Sequence, residues 1–138
     1  MKTTWNRKTI AGLVLHVLIA GIMILAGSAK LLGLYPPEMI AKLGLSVPIQ
    51  VIGVGELLTA LLLLIPRTSS LGVLLASSFW GGAICLHLSK AEPVVLQSAL
   101  LLLTWVGAYL RIPATFSSFS ASSPAAQSSA ASAEAIAS

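Results

Sequence analysis

Four long apolar stretches, each closed by turn-forming residues, organise this chain. They run from Thr9 to Leu34, Pro48 to Ile65, Ser70 to Leu88 and Pro93 to Leu110. A helix needs about 20 apolar residues to cross the hydrocarbon of a bilayer. All four stretches therefore predict transmembrane helices, the second and fourth standing upright or borrowing from their flanks. Tyr35-Pro36-Pro37 closes the first stretch, and Pro66-Arg67-Thr68-Ser69 links the second to the third. Lys90-Ala91-Glu92-Pro93 links the third to the fourth, with Pro93 suited to a first helical turn. The longer link from Tyr35 to Val47 contains Glu38 to Leu43, which predicts a short interfacial helix. From Pro113 onward the chain turns to serine and alanine and has too few apolar anchors to offset ordering entropy. The expected fold class is all-α, a four-transmembrane-helix bundle over residues 1–112, followed by a disordered C-terminal tail over 113–138. Phe116 and Phe119 are placed to rest on the membrane surface.

Composition strengthens this reading. The chain is 57% hydrophobic and 9% charged, with a mean hydropathy of +0.96, whereas soluble domains carry about a quarter charged residues. So small a body has too little interior to hide that much apolar surface, and the lipid bilayer is its expected partner. The net charge of +4 comes from scattered lysines and arginines, not from a phosphate-binding patch, so nucleic acid is not an expected partner. Lys2, Arg7, Lys8, Arg67 and Arg111 fall on one side of the spans, and Lys30, Lys42 and Lys90 on the other. The richer side is expected in the cytoplasm, which places both termini inside a cytoplasmic (inner) membrane. The first stretch starts like a signal peptide, but its apolar part exceeds the roughly 7–15 residues of such a segment. A single cysteine, Cys85, excludes an internal disulfide or a paired-thiol relay, and reads as a small buried residue. No phosphate loop, zinc spacing or hydrolase elbow is present, so no cofactor is evident from motifs.

Polar residues recur on one face of each span. His16, Ala20, Met23, Gly27 and Lys30 follow steps of three and four in the first; Gly53, Glu56, Thr59 and Ala60 do so in the second. The third offers Ala76, Trp80, Ala83 and His87, beside the small pairs Ser77/Gly81 and Ser78/Gly82. The fourth offers Gln97, Leu101, Thr104 and Ala108. Such faces pack membrane helices together. At about 1.5 Å per residue, Lys30 lies about 6 Å and Glu56 about 12 Å below the outer ends of their spans. His87 and Gln97 also fall in the outer half. Lys30, Glu56, His87, Gln97 and Trp80 are thus expected to line one pocket open to the outer face. His16 sits about 15 Å from the level of His87, which excludes a shared haem and leaves it as a packing or polar-contact residue.

Each of these groups also has a plainer reading. Glu56 can hold neighbouring helices together through a hydrogen bond, although an ionisable group inside a membrane is a functional candidate by default. Lys30 can snorkel to the interface instead of pairing with Glu56. His87 can be an interfacial residue. Trp5, Trp80, Trp105, Tyr35 and Tyr109 fit belt or packing aromatics, with Trp80 sharing the face of His87.

Three segments carry a family likeness. Ala26-Gly27-Ser28-Ala29-Lys30-Leu31 resembles the glycine-x-x-lysine signature at the end of the first helix in DoxX-like membrane proteins. Gly53-Val54-Gly55-Glu56-Leu57-Leu58, with Pro66-Arg67 after its leucine-rich run, resembles that family's second helix. Gly82-Ala83-Ile84-Cys85-Leu86-His87-Leu88 resembles its third-helix ending. The likeness spans Thr9 to Leu110 and implies a four-helix protein of the bacterial or archaeal cytoplasmic membrane. It implies an association with redox work or oxidative stress, and carries Lys30, Glu56 and His87 over as pocket residues. Redox-linked branches carry an arginine early in the first helix, where this chain has His16.

Three functions follow as expectations. The first is a pocket for a small ligand, with quinone or quinol as candidate, in a membrane redox assembly whose electrons go to a membrane or peripheral redox partner. The second is a non-enzymatic partner or assembly subunit. The third is a small transporter, which would require a homo-oligomer. Whether the chain is an enzyme stays open at this point.

Overall fold

The computed structural model describes residues 6–119, all helix and turn with no strand among them. Five α-helices follow in order: α1 Arg7–Leu31, α2 Pro37–Leu43, α3 Ile49–Leu64, α4 Ser69–Ser89 and α5 Val95–Arg111. A short 3-10 helix, Pro113–Phe119, follows α5. The four long helices form a ring in which α1 packs on α3 and α5, and α4 packs on the same two. The core between them holds Ile19, Ala20, Met23, Ala60, Leu63, Val73, Ala76 and Trp80. Large apolar side chains such as Leu18, Leu25, Leu58, Leu74 and Leu102 face outward. α1 and α4 are long and apolar enough to cross a membrane; α3 and α5, at 16 and 17 residues, are shorter apolar helices.

Helix ends explain the turns. α1 stops at Leu31, three residues before the expected end, because Gly33 adopts a left-handed φ of 68°. Leu34 N–H then bonds Ala29 C=O and Gly33 N–H bonds Lys30 C=O, the paired pattern that closes a helix on a C′ glycine. α4 closes the same way: Glu92 N–H bonds His87 C=O and Ala91 N–H bonds Leu88 C=O. Here the left-handed position is taken by Ala91, at φ 54°. The interfacial segment forms α2, capped by Gly44 at φ 61°. Lys90 Nζ donates to the Lys42 carbonyl at its end, 2.6 Å away.

Three expectations need correction. The chain beyond Pro113 was expected to be disordered, yet residues 113–119 form the 3-10 helix, because Phe116 stacks edge-on against Trp105 and Tyr109. Cys85 is exposed, not buried. Of the two small-residue pairs on α4, Ser78 and Gly82 are exposed, and a Cβ at Gly81 or Gly82 would meet nothing. Ser78, Gly81 and Gly82 therefore do not pack one helix against another. The expectations for Lys2, Trp5 and the Phe119 side chain, and for the tail from residue 120, fall outside the described residues.

Candidate functional site

The site begins where α1 and α3 cross without side chains between them. A Cβ on Gly27 would stand 2.8 Å from the Gly53 carbonyl oxygen, and one on Gly53 would stand 2.8 Å from that of Gly27. Glycine is therefore required at both positions, and it brings the backbones together as small residues do between membrane helices. One turn from each glycine stand Lys30 and Glu56. Lys30 Nζ donates to both carboxylate oxygens of Glu56, at 2.9 and 2.8 Å. Glu56 is 2% exposed and Lys30 12%. The ammonium also approaches the Ala26 carbonyl at 3.4 Å and lies 5.4 Å from the centre of the Tyr35 ring, within reach of a cation–π attraction.

A cavity of about 680 Å³ opens onto this pair. α3 and α4 supply Ile52, Glu56, Ser78, Phe79, Ala83 and His87, and the segment around α2 supplies Tyr35, Leu43 and Leu45. Ligand sites have this size and this mainly apolar lining with a few polar groups. His87 borders the cavity, but its charged partner is Glu92, with Nδ1 2.8 Å from Oε2. The lysine and the acid therefore meet, and the imidazole shares their cavity while bound to a different carboxylate. Trp80 lies in the core instead of the cavity wall, and its Nε1 has no partner among the described residues. Gln97 lines a separate open groove with His87, Glu92 and Leu96. Both positions share a helix face with the site, but bulk turns Trp80 inward and the start of α5 leaves Gln97 at the rim.

A second buried polar group occupies the opposite end of the bundle. Arg111 donates to the carbonyls of Leu63 and Leu64, at 2.8 and 2.9 Å, and sits 3.1 Å from His16 Nδ1. A guanidinium can only donate, so Nδ1 accepts and Nε2 carries the ring proton. Nε2 in turn donates to the Thr104 carbonyl at 3.2 Å. Thr68 and Ser69 donate to the carbonyls of Leu62 and Leu63. The terminal carbonyls of α3, which no helix can satisfy by itself, are thus capped by side chains from α4, its preceding turn and α5. Gly107 makes room for the imidazole, since a Cβ there would meet His16 at 2.6 Å. The role of Arg111 was not visible in sequence, where it reads as one more basic flank. A carbonyl acceptor leaves no residue signature.

Among the described residues, no group of His, Cys, Asp and Glu could hold a metal ion. In comparisons with family models, curated proteins and solved structures, the chain matches none.

Proposed function

We propose that this chain is a DoxX-like integral membrane protein whose four long helices all cross the bilayer, and whose cavity binds a small, quinone-like ligand in redox or oxidative-stress physiology. The single observation that carries the reading is the Lys30–Glu56 pair at the base of an open, mostly apolar cavity. A structural pair has no need of an opening beside it, and a buried ion pair is by itself weak evidence for stability. Support for four spans comes from the ring: α3 and α5 share one core with α1 and α4. Their ends continue into apolar flanks at Pro48, Ile65 and Ile112. Arg67 and Arg111 belong to the end of the bundle away from the cavity, which by the positive-inside rule supports an extracytoplasmic cavity. A membrane or peripheral redox protein completes the assembly on this reading.

The test is a calorimetric titration of purified protein with a tetramethyl-substituted quinone in both redox states. Saturable binding of at least one of the two states to wild type, weakened at least about tenfold in Glu56→Gln by loss of the carboxylate, is expected. Equal affinity for the two proteins rules out this cavity as the binding site. A stable co-purifying protein indifferent to Glu56→Gln favours the assembly-subunit alternative instead.

A further inference from the structure

The polar atoms around the cavity are unequal in what they still have to offer. An ammonium carries three donor protons and no acceptor. Two of the three on Lys30 go to Glu56, and the third points at the Ala26 carbonyl. The Glu56 oxygens each receive one of those bonds and keep a further acceptor site. Ser78 spends its hydroxyl proton on the Leu74 carbonyl at 3.0 Å, and its oxygen lone pairs stay free. His87 donates from Nδ1 to the Glu92 carboxylate, and in that tautomer Nε2 is an acceptor. Among the described lining residues, the Tyr35 hydroxyl, a free rotor, is the group left to supply a donor. The wall therefore holds several open acceptors and one optional donor.

We infer that the cavity selects an uncharged apolar molecule bearing hydroxyl groups, a hydroquinone or phenol, over its carbonyl or ether counterpart. The inference rests on reading the cavity as a site for a quinone-like ligand, and it specifies which chemical form enters. A hydroxyl donates to Glu56 at the base; a quinone carbonyl would face acceptors and leave both partners unsatisfied. Lys30 already neutralises Glu56, so the site has no net charge to attract an ion. Geometry favours a ligand bonded at two points. Gly72 of α4 lies against Leu63 of α3, which sets His87 about 12 Å along the bundle from Glu56. Side chains lean toward the N-terminus of their helix. The two helices are antiparallel, so Glu56 and His87 lean toward each other and narrow that gap to the span of a small ring with two oxygens.

Three probes with the same ring decide the point: tetramethylhydroquinone, its dimethyl ether and tetramethylbenzoquinone, titrated calorimetrically under anaerobic conditions into detergent-purified protein. The hydroquinone is expected to bind about tenfold or more tightly than either of the others, the usual effect of leaving buried acceptors unpaired. Ser78→Ala, at an exposed position that cannot unfold the bundle, is expected to narrow that preference. Tyr35→Phe, which removes the optional donor, is expected to keep or widen it. Equal affinity for all three probes overturns the hydroxyl requirement while leaving the cavity a ligand site. Absence of binding by any of them overturns the requirement together with the reading beneath it.

Discussion

Removing Lys30 and removing Glu56 should not have equal consequences, and the difference follows from where each stands. Glu56 lies mid-helix on α3 at 2% exposure, with both carboxylate oxygens bonded to one ammonium. Lys30→Met leaves that carboxyl in the interior with no cation. Deleting one partner of a buried pair costs about 3–5 kcal/mol, because the other charge stays desolvated. Lys30 is one residue from the end of α1 and 12% exposed. In Glu56→Met its flexible chain can carry the ammonium outward, so the cost should be only about 1–2 kcal/mol. Lys30→Met/Glu56→Met removes both charges at similar volume and should lie within about 1 kcal/mol of wild type. The coupling between the two positions is then at least about 3 kcal/mol. Equilibrium unfolding in mixed micelles, followed by far-ultraviolet circular dichroism, measures all four proteins. Costs that simply add in the double variant, or a Lys30→Met variant as stable as wild type, would refute the claim that these groups depend on each other.

Three further outcomes are expected. Ala91→Gly should stabilise the protein by about 0.5–1 kcal/mol in the same unfolding assay, since Ala91 holds the left-handed position that costs an L-residue about 1–2 kcal/mol, offset in part by glycine's chain entropy. Gly53→Val should force α1 and α3 apart and cost about 3 kcal/mol or more; a disulfide cross-link engineered across the crossing should lose efficiency in parallel. Arg111→Lys should lose about 1–3 kcal/mol nearly as fully as Arg111→Met, because one ammonium cannot reproduce a fork that meets two carbonyls and an imidazole.

The long helices and half of the site were legible because period and composition report burial directly. His16, Ala20, Met23 and Gly27 on α1, and Gly53, Glu56, Thr59 and Ala60 on α3, are all buried as their spacing implies. Depth and facing left Lys30 either to pair with Glu56 or to snorkel, and the structure has it paired. The partner of His87 was not legible, because Glu92 reaches it through a left-handed turn at Ala91 that no residue preference announces. The small residues of α4 misled for a related reason. A stripe of serine and glycine reads the same whether a neighbour covers it or not, and among the described residues a Cβ at Gly81 or Gly82 would meet nothing. The 3-10 helix after Pro113 depends on Phe116 finding Trp105 and Tyr109, a tertiary event hidden in a low-complexity segment.

Arg111, the last residue of α5, fastens the end of α3 from nearly fifty positions downstream. During synthesis, the α3–α4 hairpin emerges with two of its closing bonds still missing. The ribosome must release the whole of α5 before those bonds can form. Assembly order is thereby written into a single side chain: the earlier helices can associate, but the α3–α4 hairpin gains these two bonds only when α5 joins it.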